Sequence, residues 1–203
     1  MIEKKITAAN ADEKIKQLYQ TAFPEEEQIS WNDLQRLISK MPLDFTAYYD
    51  GDELAEQQEQ SQTCFDFAES RRKKTKGQFI GFTIVYPRKS FNWFWYFAVR
   101  EELRGKGYGQ QILTQLIERY KDKANILDIE SPDQPCDNLE QRKHRHGFYL
   151  RNGFRDTHVC RTYEGITYTI MMMGEGTFTQ QDYDDIIQEL QQFWWPNDVA
   201  EDN

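Results

Sequence analysis

The stretch VREELRGKGYGQQILTQLI, residues 99–117, decides how this chain is read. Three glycines (Gly105, Gly107, Gly109) and three cations (Arg100, Arg104, Lys106) stand between an aromatic run that ends at Val99 and an apolar pattern of helical spacing at Ile112, Leu113, Leu116 and Ile117. Glycine lets a backbone bend tightly and come close to a ligand. The first free N–H groups of the helix that follows, together with the positive end of its dipole, make an anion site. Arg104 and Lys106 add mobile positive charge beside it. The combination suits a pyrophosphate. A P-loop is excluded because Lys106 is followed by glycine, not Ser or Thr. A dinucleotide fingerprint is set aside because it opens a parallel βαβ unit, whereas the strand before this segment reads as one arm of a hairpin. Taken alone, the pattern equally describes a strand-to-helix turn with incidental basic residues.

Working outward, QFIGFTIVYP (78–87) and FNWFWYFAV (91–99) are rich in aromatic and β-branched residues and separated by a short turn, which predicts a central antiparallel hairpin. A helix is expected over 105–120, a strand at ANILDIE (124–130), and a helix over 137–154 that stops at Gly153. Two strands about Glu164 and Gly165 follow, then a last helix over 179–195 halted by Pro196. Upstream, Ile15, Leu18, Tyr19 and Phe23 share a helix face with Asn10 or Asp12 as N-cap, and Trp31, Leu34, Leu37 and Ile38 repeat the pattern from near Ser30. DFTAYYDGD (44–52) reads as a strand ending in a turn. Residues 51–77, with six acidic and five basic residues, read as a polar surface insertion between strands. The class is α/β in the α+β sense.

At 203 residues the chain supports one sizeable core. The net charge of −9 is concentrated: residues 174–203 carry eight acidic residues and no Lys or Arg, so the body is close to neutral. A broad basic face for nucleic acid is therefore not expected. No apolar run reaches bilayer length and the N-terminus lacks a signal-peptide core, so no membrane partner and a cytoplasmic location are expected. Cys64, Cys136 and Cys160 are odd in number and without CxxC spacing, which points to reduced thiols. His144 and His146, two apart on a helix, face different sides, so no metal site is expected.

The Arg104, Gly107, Gly109 pattern, the lead-in VREELRGKGYG and the later FYLRNGF resemble the acetyl-CoA motif and the tyrosine-helix signature of the GNAT N-acetyltransferases. The resemblance covers roughly residues 78–160. It implies a GNAT-like domain over 1–173, with a central antiparallel sheet and a splayed strand pair, followed by an acidic helical extension over 174–203. It further implies that acetyl-CoA is the co-substrate, with its pyrophosphate on the backbone of Arg104, Gly105, Lys106, Gly107, Tyr108 and Gly109. The pantetheine arm would pair with Phe97, Ala98 and Val99 as an added strand does. Many relatives carry Asn seven residues before the tyrosine; Arg142 stands there in this chain, with Asn138 one turn earlier as a candidate pantetheine contact. Arg142, Lys143 or Arg145 could instead approach the cofactor's phosphates.

The implied reaction is direct transfer of acetyl to a primary amine of a small molecule or peptide. It needs a proton acceptor for the amine, a backbone donor near Ala98 or Val99 for the oxyanion, and an acid for the departing thiolate. Tyr149 matches the family's acid, although a core tyrosine beside Phe148 and Phe154 is the competing reading. Glu130 is the candidate base, or a strand-end carboxylate. Tyr96 lines the acceptor pocket or packs in the core. Glu25, Glu26 and Glu27 form either an acidic lip that favours a cationic acceptor or an ordinary solvated turn. A monomer or homodimer is expected. The alternative function is a non-catalytic acetyl-CoA-binding sensor or interaction module of the same fold.

Overall fold

A computed structural model describes residues 1–51 and 77–194, with the side chains of Glu26 and Trp194 left aside. Most of the polar insertion (52–76, including Cys64) and the end of the acidic tail (195–203) lie outside the described residues. Seven strands form one sheet: β1 (Ile2–Lys5), β2 (Asp44–Asp50), β3 (Gln78–Pro87), β4 (Phe91–Val99), β5 (Ala124–Glu130), β6 (Arg155–Tyr163) and β7 (Ile166–Met173), in the order β1-β2-β3-β4-β5-β7-β6. Every pairing is antiparallel except β4 with β5. The helices are α1 (Glu13–Ala22), α2 (Trp31–Lys40), α3 (Tyr108–Arg119), α4 (Leu139–Arg151) and α5 (Gln180–Trp194).

The near-continuous apolarity of β3 and β4 has its explanation in two cores, one on each face of the sheet. One collects Ile15, Leu18 and Tyr19 of α1, Leu34 and Leu37 of α2, and Tyr183, Ile186 and Leu190 of α5 against Phe45, Phe82 and Ile84. The other packs Ile112, Leu113 and Leu116 of α3 and Tyr149 of α4 against Ile80, Phe94, Leu127 and Met171. Full burial of such side chains contributes roughly 1.5–3 kcal/mol each. The acidic C-terminal helix is thus part of the first core. Arg88 and Tyr86, at the end of β3, fasten it through Glu189, with Arg88 Nε at 2.9 Å and Tyr86 Oη at 3.0 Å.

Two features open the sheet at its centre. The parallel pairing of β4 with β5 is confined to Phe91–Trp93 against Ala124–Ile126. At that closed end, buried Asn92 donates to Asn125 Oδ1 at 3.0 Å and fixes the register. Beyond it, β4 carries a bulge: Val85 pairs Phe94 and Ile84 pairs Tyr96, leaving Trp95 over. A bulge bends and twists the strand that carries it, and the two strands part into a V. On the other side of β4, the backbones approach so closely that a Cβ at Gly81 would lie 2.1 Å from the Ala98 oxygen. Only glycine fits there.

Three details depart from expectation. β1 was not legible, because its residues after Ile2 are exposed and polar and show no alternation. α3 starts at Tyr108, not Gly105, since Gly105 and Gly107 hold φ of +73° and +86°, outside the helical region. α4 ends at Arg151, with Asn152 as C-cap and Gly153 at φ +87°. Phe154 N–H then reaches back to the Tyr149 carbonyl and Gly153 N–H to that of Leu150, both at 3.1 Å, the paired bonds of a Schellman ending.

Candidate active site

The V between β4 and β5 opens into a cavity of about 980 Å³. Of the residues singled out from the sequence, Phe97, Ala98, Val99, Arg104, Gly105, Gly109, Asn138, Tyr149 and Glu130 line it; Lys106, Gly107 and Tyr108 do not.

The cofactor half is built from backbone. Past Trp93, the β5-facing edge of β4 is unpaired and borders the cavity. After a short 3-10 turn (Glu101–Leu103) the chain passes through Gly105 and Gly107, the latter being the N-cap of α3. The first helical bond runs from Gln111 N–H to Gly107 O at 3.1 Å, so the amides just before it have no partner in the helix. The Arg104 amide is spent on Glu101 O, and its Nε donates to Val99 O at 3.2 Å, fastening the loop to the end of β4. A Cβ on Gly105 would meet nothing within 4 Å. The concavity therefore has room, free N–H groups and the positive end of α3 at one point, which fits a phosphate group. The Tyr108 hydroxyl donates to Asp50 at 2.6 Å and anchors the first turn of α3 to β2.

Tyr149 sits at the floor. Its ring packs against Phe148 and Phe154 at 5.3 and 5.5 Å while the residue also lines the cavity. Burial pushes its phenol up to about 12, with Arg145 opposing the shift, and the hydroxyl keeps its proton at neutral pH. Glu130 is 3% exposed. Both of its oxygens are occupied, one by Arg142 at 2.7 Å and the other by Arg145 at 3.1 Å. Arg142 also donates to Asn138 Oδ1 at 2.9 Å. It is thereby committed to Glu130 and Asn138, and is 5% exposed. Arg142 is consequently not placed to meet a phosphate, which corrects that expectation.

The acceptor half was only partly visible in the sequence. Of the three glutamates between α1 and α2, Glu25 is exposed, while Glu27 lines the cavity. Burial raises the Glu27 carboxyl to about 7, reinforced by Glu130 and Asp128 and opposed by Arg145. Asp128, one strand repeat before Glu130, also faces the cavity and accepts from Trp93 Nε1 at 2.9 Å. Its carboxyl too is raised by burial. The Tyr96 hydroxyl donates to the Glu27 carbonyl at 2.7 Å and receives Tyr19 at 3.4 Å, which fixes the turn that carries Glu27. Tyr96 is thus both packed in the core and part of the lining. Tyr168, buried on β7, lines the same cavity. Asp128 and Tyr168 were missed. A charged residue inside the apolar run ANILDIE, in phase with Glu130, was the available signal. Nothing local marked Tyr168, Arg161 or Tyr183, which reach the cavity from β7, β6 and α5.

Among the described residues no cluster of His, Cys, Asp and Glu could hold a metal ion. His146 instead bonds Asp156 at 2.9 Å. None of the described helices is long and apolar enough to cross a membrane.

Comparison with known proteins agrees with this geometry. Residues 64–156 match the acetyltransferase (GNAT) domain family. A GNAT-family protein from Bacteroides thetaiotaomicron superposes with a TM-score of 0.68 at 22% identity, covering 95% of this chain and 97% of its own. An aminoglycoside 6'-N-acetyltransferase complexed with coenzyme A superposes with a TM-score of 0.58 at 14% identity, covering 85% and 96%. Arabidopsis thaliana NAA60, in complex with a bisubstrate analogue, gives 0.56 at 12% identity over 84% and 95%. No curated protein sequence matches significantly.

Proposed function

We propose that the chain, whose residues 64–156 match the acetyltransferase (GNAT) domain family and whose fold is shared with a GNAT-family structure, belongs to that family and moves acetyl from acetyl-CoA to the primary amine of a small molecule or peptide, in the cavity between β4 and β5. The observation that carries this reading is that one cavity is lined both by the glycine segment, at Gly105 and Gly109, and by the half-buried carboxyl of Glu27.

When bound, acetyl-CoA supplies an activated acetyl group as a thioester. The amides from Gly105 to Gly109 hold its pyrophosphate, and the open edge of Phe97, Ala98 and Val99 orients the arm. A backbone N–H near Ala98 or Val99 donates to the reacting carbonyl oxygen. Asn138 has its Oδ1 occupied by Arg142 and Cys136, which leaves its amide N–H groups for the arm.

A primary amine reaches the site as a cation, because its ordinary value lies near 10. Glu27 and Asp128 draw it in, and Glu27 removes the proton. A carboxyl near 7 is matched to that task at neutral pH, whereas an unperturbed one would be a weaker base. Glu130 serves differently: held by two guanidinium groups, it positions Arg142 and Arg145 along the wall. Tyr149 gives its proton to the leaving sulfur, a role suited to a phenol that stays protonated.

The test is an amine panel assayed for CoA thiol release, with the acetylated product confirmed by mass. Tyr149→Phe should lower kcat about 10- to 100-fold and leave acetyl-CoA affinity within twofold. Unchanged kcat would remove Tyr149 from the chemistry, and thiol release without an acetylated amine would contradict amine transfer.

A further inference from the structure

Two opposite charges line the acceptor half without meeting. Asp128 takes its hydrogen bond from Trp93. Arg161, half-buried on β6, donates through Nη1 to Tyr183 Oη at 3.1 Å, and its guanidinium lies over the rings of Tyr163 and Tyr183 at 4.8 and 5.7 Å. Its charge acts on Asp128 across the cavity without a direct ion pair among the described residues, unlike Arg142 and Arg145, which both pair with Glu130. Guanidinium has five N–H donors in a planar fork suited to a carboxylate. One donor is engaged here, and desolvating the remainder without an anion is unfavourable.

Aromatic rings line the same cavity. Trp93 stacks on Trp95 at 4.9 Å, and Trp95 on Tyr96 at 5.1 Å. Beside Arg161 a recess of about 420 Å³ opens against α5, lined by Tyr183, Ile187 and Gln191. Asp184 also lines it, with its Oδ1 engaged by Gln180 at 2.9 Å. Opposite charges on one cavity ordinarily close on each other. Lining one cavity without pairing directly, they match a dipolar guest.

We propose that the acceptor is a small amphoteric molecule, carrying an amine and a carboxylate on one apolar scaffold. Arg161 takes the carboxylate, and the amine is turned toward Asp128 and Glu27. Arg161 is then the specificity-determining residue. This rests on the acetyl-transfer reading above and deepens it to an amino-acid-like substrate class.

The experiment is a titration of the CoA-loaded protein, where no turnover occurs, followed by intrinsic tryptophan fluorescence, to which Trp93 and Trp95 in the cavity lining contribute. Three probes are compared: L-phenylalanine, L-phenylalaninamide and 2-phenylethylamine. The amino acid should bind about tenfold more tightly than either probe lacking the carboxylate, as a charge-assisted pair implies. Arg161→Gln should erase that preference while leaving 2-phenylethylamine within twofold, and Arg161→Lys should restore part of it. Equal binding of the three probes to the wild-type protein would overturn the proposal without any variant. So would an Arg161→Gln loss that is uniform across probes, which would mean Arg161 only braces Tyr183. If no probe binds while CoA still does, the amphoteric acceptor is wrong and the transferase reading stands. If CoA itself fails to bind, both fall.

Discussion

The two halves of the cavity are made in opposite ways. The cofactor half is contiguous in sequence, from Phe97 to Gly109, and consists chiefly of backbone held open by glycine. The acceptor half takes one or two side chains from each of several elements: Glu27 between the first helices, Trp93 on β4, Asp128 on β5, Arg161 on β6, Tyr168 on β7 and Tyr183 on α5. In the proposed reaction the first half holds a pyrophosphate, for which amides suffice. The second must choose one amine among many, and that discrimination needs side chains, burial and shifted protonation. Damage to the first half should therefore remove cofactor binding, and damage to the second should remove rate or acceptor affinity with the cofactor still bound.

The largest effect that could break this division is at Gly107. Its φ of +86° is one that a β-branched residue cannot adopt without strain. Gly107→Val should weaken acetyl-CoA binding about 100-fold in calorimetry, and binding within threefold of wild type would mean the loop does not form the cradle. Next comes Glu27→Gln. A lost general base typically costs 10²-fold or more, so kcat/KM for the amine should fall about 100-fold with acetyl-CoA affinity unchanged. In the wild-type protein, the rate should rise with pH through a midpoint near 7 as Glu27 loses its proton. The variant should lack that limb, and a variant with the same pH profile would assign the limb elsewhere.

Smaller effects sharpen the boundary of the acceptor half. Glu189→Ala removes the clamp that Arg88 and Tyr86 place on α5. Arg88 is 12% exposed but Glu189 is 38% exposed, so screening limits the loss to roughly 1 kcal/mol. Acceptor KM should rise several-fold with acetyl-CoA affinity unaffected; a loss confined to acetyl-CoA would place α5 in the wrong half. The smallest effect is on stability. Because the folded Glu27 carboxyl lies above its unfolded value of 4.5, the folded state holds the proton more tightly, and stability falls as pH rises through the interval up to about 7. Glu27→Gln should then raise Tm by a few degrees at pH 8 and hardly at all at pH 4. Equal Tm shifts at both values would show that Glu27 is not strained by its surroundings.

The same contrast explains what could be read without coordinates. The glycine segment was legible because glycines, cations and the flanking strand and helix are neighbours in sequence, and Tyr149 because FYLRNGF resembles the tyrosine-helix signature of the GNAT family. Buried β3 and β4 follow from aromatic runs that no single face could absorb, whereas the splay beside β4 was implied only by the resemblance to the GNAT family. Glu130 was selected over Asp128 because strand ends attract attention. Only the fold reveals that two arginines from α4 occupy Glu130 while Asp128 stays open to the cavity. The sequence marks the tail as an acidic helical extension without fixing what it packs on; Tyr183, Ile186 and Leu190 at helical spacing bury it in the first core.

The most direct test of the division of labour is calorimetric titration of acetyl-CoA into the Glu27→Gln protein, alongside the wild type. The account predicts one site in each, with dissociation constants agreeing within twofold, although the variant has lost about 100-fold in amine turnover. Loss of acetyl-CoA binding in step with turnover would contradict it, because the two halves would then not be separate sites of one cavity.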